Sequence, residues 1–588
     1  MFGRFAAALV DASSLAGLFI LCTGGFRTRN NPLLGDFNLT SYGPFFLPLA
    51  LCLVFGVEPT GSRVLPTVKR WAARFDALAE RTQARWLAAT VGVALLAHGL
   101  VVFLRYYSFQ AAMDLAIYAN ACHGALYSTM KGDVWLFADH FEPLLLLFTP
   151  LCRAFSPAVS LLAVQTLGWG AGAFGIYALA RRQGYRASAA WLCAMLYLNF
   201  TGHVTIAYYD FHLLALTLAI VPWIWWAIAS KHYVWLIALG LIYLGLKESA
   251  PLSLAGLGAY LFLTAKGETK RRNVGLAFAL IGAVVFALIM KVVYPAFRSG
   301  EGTMYFAKYY GHLGKDLPEF VTTALTRPVY FAYHLLKPRK LWYVGGLLLP
   351  FLFFPLRHPV YLLPVLPAIL VNILSNNPSL LSAGYHYEAE IFPVLFAMGV
   401  IAMSTPRARA IWLAVVLVAF TSQSALGIAR WTVPTKDQRR LAKLLDEHVP
   451  NDQRAIAAPQ RIAAHLTDRE RLYMFDYWLM EDDWKRADLL VVGFHGGSLG
   501  WYSWKLFTDR KLPRMLPYLR LVYQDEVDPR FRVFEVLPSA KTAPPTAAPG
   551  ATADSPGEEE LEDDSTTTSV DGVQRTPLLQ PSSQGTSQ

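Results

Sequence analysis

The sequence predicts a polytopic α-helical membrane protein with a small extramembrane α/β domain and a disordered tail. Of its 588 residues, 55% are hydrophobic and only 16% are charged, and the mean hydropathy is +0.36. Soluble domains carry about 25% charged residues, so lipid must solvate much of this protein. Apolar runs of roughly 20 residues recur along the chain and are long enough to cross a bilayer as helices. Because backbone polar groups must be paired inside lipid, a helical bundle is expected.

Hydropathy predicts about 13 membrane crossings. The first apolar run, at 6–22, is followed by Gly-Gly-Phe-Arg and a second run, which favours a retained helix over a cleaved signal peptide. The crossings are expected near residues 5–23, 42–58, 86–104, 158–180, 187–203, 212–230, 233–246, 249–265, 274–295, 341–355, 358–374, 389–404 and 409–428.

Basic residues predict the orientation of the bundle. The tail from residue 541 holds two of the 52 basic and eight of the 41 acidic residues, which leaves 50 and 33, or a charge of +17. The basic loops at 69–85, 181–186, 231, 266–272, 357 and 407–409 fall on one side, which should be the cytoplasm. Only Arg27 and Arg29 disagree. Such residues contact anionic headgroups, so membrane lipids are expected partners and nucleic acid is not.

The external side then holds the segments 105–157, 203–211, 296–340 and 375–388 and everything after 428. Residues 1–85 form an N-terminal transmembrane hairpin with a basic cytoplasmic loop, and residues 86–428 form the main transmembrane domain. Residues 429–540 predict an external α/β domain, with a helix at 436–448 and β-like runs at 455–458, 471–475, 489–492, 519–523 and 532–536. Residues 541–588 are an acidic tail that is too polar to fold. Thr322 to Leu336 is expected to be an interfacial segment.

Asp114 is the leading candidate for chemistry. It lies in the long external segment 105–157, in an amphipathic pattern with Phe109, Met113 and Ile117. A carboxylate at the membrane surface could accept a proton from an attacking hydroxyl. The competing interpretation is a carboxylate that only caps a helix or covers its polar face. Cys122 and Cys152 lie in the same segment and could form a disulfide or remain free.

Two Asp-His clusters are expected on the external side. His140 and Glu142 stand in Asp-His-Phe-Glu-Pro, and Asp210 and His212 open the crossing at 212–230. Asp210 and His212 could hold a divalent metal ion, while His140 and Glu142 could bind substrate. The alternative is that the histidines serve only helix ends.

Further candidates lie between crossings. Lys247 and Glu248 could bind a lipid-linked phosphate or could simply pair with each other. His386 and Tyr387 could line a sugar pocket or could belong to an aromatic belt. No phosphate-binding loop, dinucleotide fingerprint, nucleophile elbow or HExxH motif is present, so no nucleotide cofactor is expected.

Together these motifs resemble the prokaryotic polytopic membrane proteins of domain-of-unknown-function family 2079. The resemblance covers roughly residues 104–536 and includes Ala-His-Leu-x-x-Arg at 464–469. The matching motifs are Asp-Leu-Ala-Ile-Tyr at 114–118, His-Phe-Glu-Pro at 140–143, Asp-Phe-His at 210–212, Lys-Glu at 247–248 and Tyr-His-Tyr at 385–387.

That family is similar in architecture to GT-C glycosyltransferases such as protein mannosyltransferases and aminoarabinose transferases. The resemblance implies a GT-C-like bundle in the plasma (inner) membrane, with the C-terminal domain on the external, periplasmic side. It also implies a polyprenyl-phosphate sugar donor, an unidentified acceptor and Asp114 as the catalytic base. A transporter or flippase of a lipid-linked envelope precursor, or a non-catalytic membrane scaffold, remains the alternative.

Overall fold

The computed structural model describes residues 2–31, 35–111, 113–130, 134–297, 309–475, 482–493, 498–499, 502–503 and 507–542. The predicted tail at 541–588 lies outside the described residues from 543 onward. Residues 298–308 of the predicted external segment 296–340 also lie outside them.

Helices make up most of the described chain up to residue 448, and three short α-helices follow among the described residues. They are α1 (Phe2–Thr23), α2 (Leu47–Phe55), α3 (Val64–Asp76), α4 (Glu80–Tyr107), α5 (Met113–His123), α6 (Thr149–Ala154), α7 (Pro157–Arg182), α8 (Ala187–Asn199), α9 (Thr201–Tyr208), α10 (Thr217–Ser230), α11 (Tyr233–Leu244), α12 (Ala250–Leu263), α13 (Thr269–Leu288), α14 (Tyr294–Phe297), α15 (Leu317–Thr326), α16 (Pro328–Leu335), α17 (Pro338–Leu348), α18 (Phe354–Arg357), α19 (Leu366–Leu374), α20 (Phe392–Ala402), α21 (Pro406–Ala419), α22 (Ala425–Thr432), α23 (Lys436–His448), α24 (Gln460–Ala463), α25 (Leu512–Met515) and α26 (Pro538–Lys541).

The strands are short. They are β1 (Phe26–Asn31), β2 (Gly35–Leu39), β3 (Tyr127–Ser128), β4 (Val134–Trp135), β5 (Ile456–Ala458), β6 (Leu472–Met474), β7 (Leu489–Val492), β8 (Ser498–Leu499), β9 (Tyr502–Ser503), β10 (Leu519–Gln524) and β11 (Arg532–Val536). Short 3₁₀ helices at Pro143–Phe148 and Leu213–Leu216 precede α6 and α10.

Five helical stretches among the described residues are long and apolar enough to cross a membrane. They are Gly3–Thr23, Glu80–Tyr107, Pro157–Arg182, Leu213–Ser230 and Thr269–Phe297. Shorter apolar helices lie at Gly43–Phe55, Pro143–Ala154, Ala187–Asn199, Tyr233–Leu244, Ala250–Leu263 and Phe392–Ala402. The chain is therefore a helical protein with several candidate membrane spans, and the number 13 remains a prediction.

The centre of the bundle depends on close packing of α7 against α10. A Cβ atom added at Gly172 of α7 would lie 1.8 Å from the carbonyl oxygen of Leu218, so only glycine permits this approach. Trp169 and Trp225, on the same two helices, are fully buried. This tight contact fixes where α10 begins, and the candidate site lies just before that point.

The segment 105–157 folds back onto the bundle as α5, the β3–β4 pair, a 3₁₀ turn and α6. Every residue of α5 from Leu115 to Cys122 is buried, so α5 is an internal helix and not the amphipathic surface helix that the sequence pattern suggested. The pattern misleads because protein covers both faces of the helix. Cys122 and Cys152 are both free.

The C-terminal region forms a five-stranded sheet with the order β10-β11-β7-β5-β6. Strand β5 is parallel to β6 and β7, whereas β11 is antiparallel to β7 and β10. The helix α23 begins with a capping box in which the Thr435 hydroxyl accepts from the Gln438 N–H. The predicted helix and strands of this region are confirmed.

This C-terminal domain docks directly on α5 and on the segment that follows it. The Asn120 side chain donates to the carbonyl oxygen of Arg469 at 3.0 Å. The Thr129 hydroxyl donates to the Leu472 carbonyl at 2.7 Å and accepts from the Leu472 N–H at 2.8 Å. The ring of His465 lies 4.2 Å from the ring of Tyr106. The sheet therefore buries the helix that carries Asp114.

Candidate functional site

Asp114 stands in the first turn of α5, where a carboxylate is favoured by the helix dipole. Its side chain is 27% exposed, although most of α5 is buried, so it can face both the protein and a ligand. One turn further along α5, the Tyr118 hydroxyl donates to Glu142 Oε1 at 2.8 Å. The same helix therefore presents two polar groups to one region.

Asp114 faces His212, which immediately precedes the 3₁₀ turn that opens α10. His212 Nε2 lies 3.5 Å from Asp114 Oδ2, and His212 Nδ1 lies 3.0 Å from the carbonyl oxygen of Asp210. A carbonyl oxygen can only accept, so Nδ1 must carry a proton. Burial lowers the pKa of His212 to about 4. At neutral pH the lone pair of Nε2 therefore points at the carboxylate, and the two groups can share one added proton.

A stack of aromatic rings supports His212 from the other side. The rings of His212 and His386 lie 3.5 Å apart and nearly parallel, and Tyr387 lies 4.5 Å from His386. Burial and the neighbouring His212 both lower the pKa of His386. Two neutral imidazoles can stack without charge repulsion. This contact joins the loop before α20 to the start of α10.

A second dyad lies beside the first. His140 Nδ1 is 3.1 Å from Glu248 Oε1, His140 Nε2 is 3.7 Å from Asp139, and the Phe141 N–H donates to Glu248 Oε2 at 3.2 Å. Burial opposes protonation of His140, but the charges of Asp139 and Glu248 outweigh it and raise its pKa. Burial likewise opposes ionisation of Glu248, yet His140 and Lys247 lower its pKa to about 2. Glu248 is therefore paired with His140.

Lys247 supplies positive charge between the two dyads. Burial disfavours its ammonium group, but Glu248, Glu142 and Glu390 raise its pKa overall. The same charge acts on His212 and so reaches the first dyad. Burial raises the pKa of Glu142 to about 7, although Lys247 and His140 act to lower it. The half-buried Lys247 cation thus acts electrostatically on groups of both dyads.

The structure brings all the candidates into one cluster: Asp114, His140, Glu142, Asp210, His212, Lys247, Glu248, His386 and Tyr387. Asp210 contributes its backbone carbonyl to His212. Within the described ranges, no group of three or more His, Cys, Asp or Glu side chains is arranged to hold a metal ion. His212 Nε2 and Asp114 offer two ligands, fewer than hard divalent cations prefer, so a metal remains a prediction and no step below depends on one.

Sequence reasoning missed the acidic residues that follow Tyr387. Glu390 accepts from the Ser249 hydroxyl at 2.6 Å and from the Tyr243 hydroxyl at 3.2 Å. Glu388 is buried, and burial raises its pKa to about 8 although a hydrogen bond with the Tyr343 side chain opposes the shift. Two carboxylates placed just before the apolar helix α20 are energetically costly. In the sequence, this pair of acids next to an apolar run was the feature that could have marked them as functional residues.

One protein family matches more than half of this chain. The family described as "Predicted membrane protein (DUF2079)" matches residues 105–493. The chain belongs to this family. The DUF2079 match runs from the end of α4 to the end of β7, so it includes every residue of the cluster and most of the docked sheet.

Solved structures give weaker likenesses to this DUF2079 protein. The Archaeoglobus fulgidus oligosaccharyltransferase complexed with zinc and sulfate is similar at 12% identity, over 76% of this chain and 73% of that chain, with a TM-score of 0.34. The apo form of the same enzyme is similar at 10% identity, over 66% and 64%, with a TM-score of 0.32. No curated protein sequence matches the chain.

Proposed function

We propose that this protein is a membrane glycosyltransferase that moves a sugar from a polyprenyl-phosphate donor to an acceptor hydroxyl on the external face. The observation that carries the proposal is the pair of Asp114 Oδ2 and His212 Nε2 at 3.5 Å. This pair can receive one proton, and it lies within a cluster of buried and half-buried ionisable groups. Buried charges of this kind are costly, so a functional role is the expected reason for them.

The proposed reaction balances with these residues alone. The acceptor oxygen attacks the anomeric carbon of the sugar, and the bond from that carbon to the phosphate oxygen breaks. Its electron pair leaves with the lipid phosphate, which needs no proton at neutral pH. The acceptor proton passes to Asp114, whose protonated form can donate to His212 Nε2. Lys247 would offset the charge of the departing phosphate.

The remaining residues would shape the binding site. The ring of Tyr387 lies tilted at 40° against that of His386, and together they would offer an aromatic surface on which the apolar face of a sugar can pack. Glu248 would hold Lys247 in place by balancing its charge, and His140 would orient the Glu248 carboxylate.

The orientation of the proposed site comes from the basic loops. They lie at the ends of α4, α7 and α10 that are opposite to the cluster around Asp114, and the basic end of a membrane protein is normally cytoplasmic. The cluster and the C-terminal domain would then be external to the plasma membrane, where a lipid-linked donor can reach them.

The decisive experiment substitutes Asp114→Asn, which keeps the shape of the side chain but removes the base. We expect envelope glycans, measured by mass spectrometry, to lose the same component that a deletion strain loses, with activity down by about 10²–10⁴-fold. The matched control is Asp446→Asn, an exposed carboxylate on α23. Normal glycans in Asp114→Asn would reject the base and favour a flippase or a scaffold, which should tolerate the change.

A further inference from the structure

The helices α15–α17 cover one flank of the molecule next to the cluster. Their outer faces are apolar and exposed, with Val329 at 83% and Trp342 at 80% exposed. In a membrane protein such a face is expected to contact lipid. These helices therefore place whatever lies on their inner side at the level of lipid headgroups or acyl chains.

The inner side of this flank collects nitrogen atoms that lack partners. Lys340 is only 5% exposed, and its Nζ has no hydrogen-bond partner in the described part of the chain. The same holds there for both ring nitrogens of His312 and for Nδ1 of His334. The rings of His312 and His334 lie 4.7 Å apart. Buried polar groups without partners are costly, so several converging ones call for a ligand.

The charge around these nitrogens is positive. Burial lowers the pKa of His312 to about 4, and the charges of His334, Lys340 and Lys337 act in the same direction. Nearby carboxylates of the segment are engaged elsewhere. Asp316 Oδ1 accepts from the Glu319 N–H, and Glu319 Oε2 accepts from the Lys315 N–H, each at 2.8 Å. An anion among His312, His334 and Lys340 would supply the missing hydrogen bonds and balance the positive charge of the lysines.

We propose that His312, His334 and Lys340 form a binding site for a phosphate monoester, with the lipid phosphate of the sugar carrier as its source. A phosphate offers several strong acceptor oxygens and can satisfy several donors at once. The apolar outer face of α15–α17 would at the same time contact the hydrocarbon chain. Free inorganic phosphate shares the headgroup chemistry but could not use that face.

Hydrogen bonds tie this phosphate site to the cluster around Asp114. The Tyr310 hydroxyl donates to the Val371 carbonyl at 3.0 Å, and the Asn372 amide donates to the Tyr343 hydroxyl at 2.7 Å. Both partners lie on α19, shortly before the loop that carries His386. The inference deepens the proposed function and rests on it for the identity of the lipid. The binding of phosphate itself rests on the unpartnered nitrogens.

The test measures binding, not turnover. The full-length Asp114→Asn protein in phosphatidylcholine nanodiscs is titrated with a short-chain polyprenyl monophosphate, with the matching polyprenol and with inorganic phosphate. We expect the polyprenyl phosphate to bind most tightly, and Lys340→Met to weaken it by about tenfold or more. Lys315→Met, which removes an exposed cation from the same segment, should leave the affinity unchanged. His312→Leu gives a second reading should Lys340→Met fold poorly.

Each outcome bears on the inference. Equal binding of polyprenol and polyprenyl phosphate, or unchanged affinity in both variants, would overturn it. Inorganic phosphate binding as tightly as the lipid would support the phosphate site but overturn the lipid source. The assay needs no catalysis, so the two proposals can fail separately. If polyprenyl phosphate does not bind but Asp114→Asn loses the envelope glycan, the phosphate site is rejected and the proposed transferase stands. Phosphate binding with normal glycans in Asp114→Asn would reject only the proposed transferase.

Discussion

Glu142 shows how the environment of one residue should give the site a pH dependence. Its pKa is raised by burial from 4.5 to about 7 in the folded protein. Between these values the folded state holds a proton that the unfolded state has released, so its contribution to stability falls as pH rises and is flat above about 7. The size is on the order of 3 kcal/mol.

Glu142→Gln should therefore remove part of the decline in stability between pH 4.5 and 7. The measurement is thermal unfolding of the purified protein in detergent across that range. His140 also titrates with a raised pKa and its charge acts on Glu142, so the difference between parent and variant reports Glu142 together with its coupling to His140. Glu526→Gln, an exposed carboxylate, is the control. Parallel curves for parent and Glu142→Gln would show that this carboxyl has an ordinary pKa.

For single residues, the residue types in the motifs were enough to find the members of the cluster, but they did not predict the contacts between them. Asp114 and His212 could be singled out because an ionisable residue beside an apolar run is energetically costly whatever the tertiary structure is. That they face each other depends on how α5 and α10 pack, and the distance of 98 positions in sequence hides it. Tyr118 and Glu388 gain their roles only from such packing.

Among the elements, those with strong local signals are predicted well. The helix Lys436–His448 follows a capping box, and the strands Leu489–Val492 and Arg532–Val536 are short apolar or alternating runs. By contrast, the predicted crossings at 341–355 and 358–374 are divided into short helices. Prolines at 350, 355, 359, 364 and 367 explain the division, because each removes a backbone donor that a continuous helix needs.

The contact between Thr129 and β6 should control how firmly the C-terminal sheet holds α5. Thr129→Val keeps the volume of the side chain but removes both hydrogen bonds to Leu472. We expect a loss of about 2 kcal/mol, because two buried backbone groups lose partners. The amide of Leu472 should exchange hydrogen faster as measured by mass spectrometry.

Thr322→Val, on α15, is the control for Thr129→Val. Its hydroxyl makes only an exposed bond to the Pro318 carbonyl, so stability and exchange at β6 should not change. Unchanged exchange in Thr129→Val would mean that the sheet docks through other contacts. One such contact is the His465 ring, which packs against Tyr106 and Phe109.

For the whole molecule, several of the basic loops that the sequence assigned to one side contact one another. The Arg409 guanidinium donates to the carbonyl oxygens of Gln183 and Gly184, and Lys231 pairs with Glu268 at 3.3 Å. The Ser188 N–H donates to Asp76 at 2.7 Å, which joins α8 to α3. Charge patterning could predict this shared end because it depends on sequence spacing between spans and not on side-chain packing.

We expect that basic end to lie in the cytosol, and single cysteines can test this. Single cysteines are introduced as Asp452→Cys in the C-terminal domain and as Lys270→Cys at the basic end, in a Cys22→Ser background because Cys22 is exposed. In right-side-out membrane vesicles, a membrane-impermeant maleimide should label Asp452→Cys only, and in inside-out vesicles it should label Lys270→Cys only. Both positions are exposed on the protein, so accessibility depends on the membrane alone. The reverse pattern would place Asp114 in the cytosol, out of reach of an external acceptor, and the proposed transferase would fail.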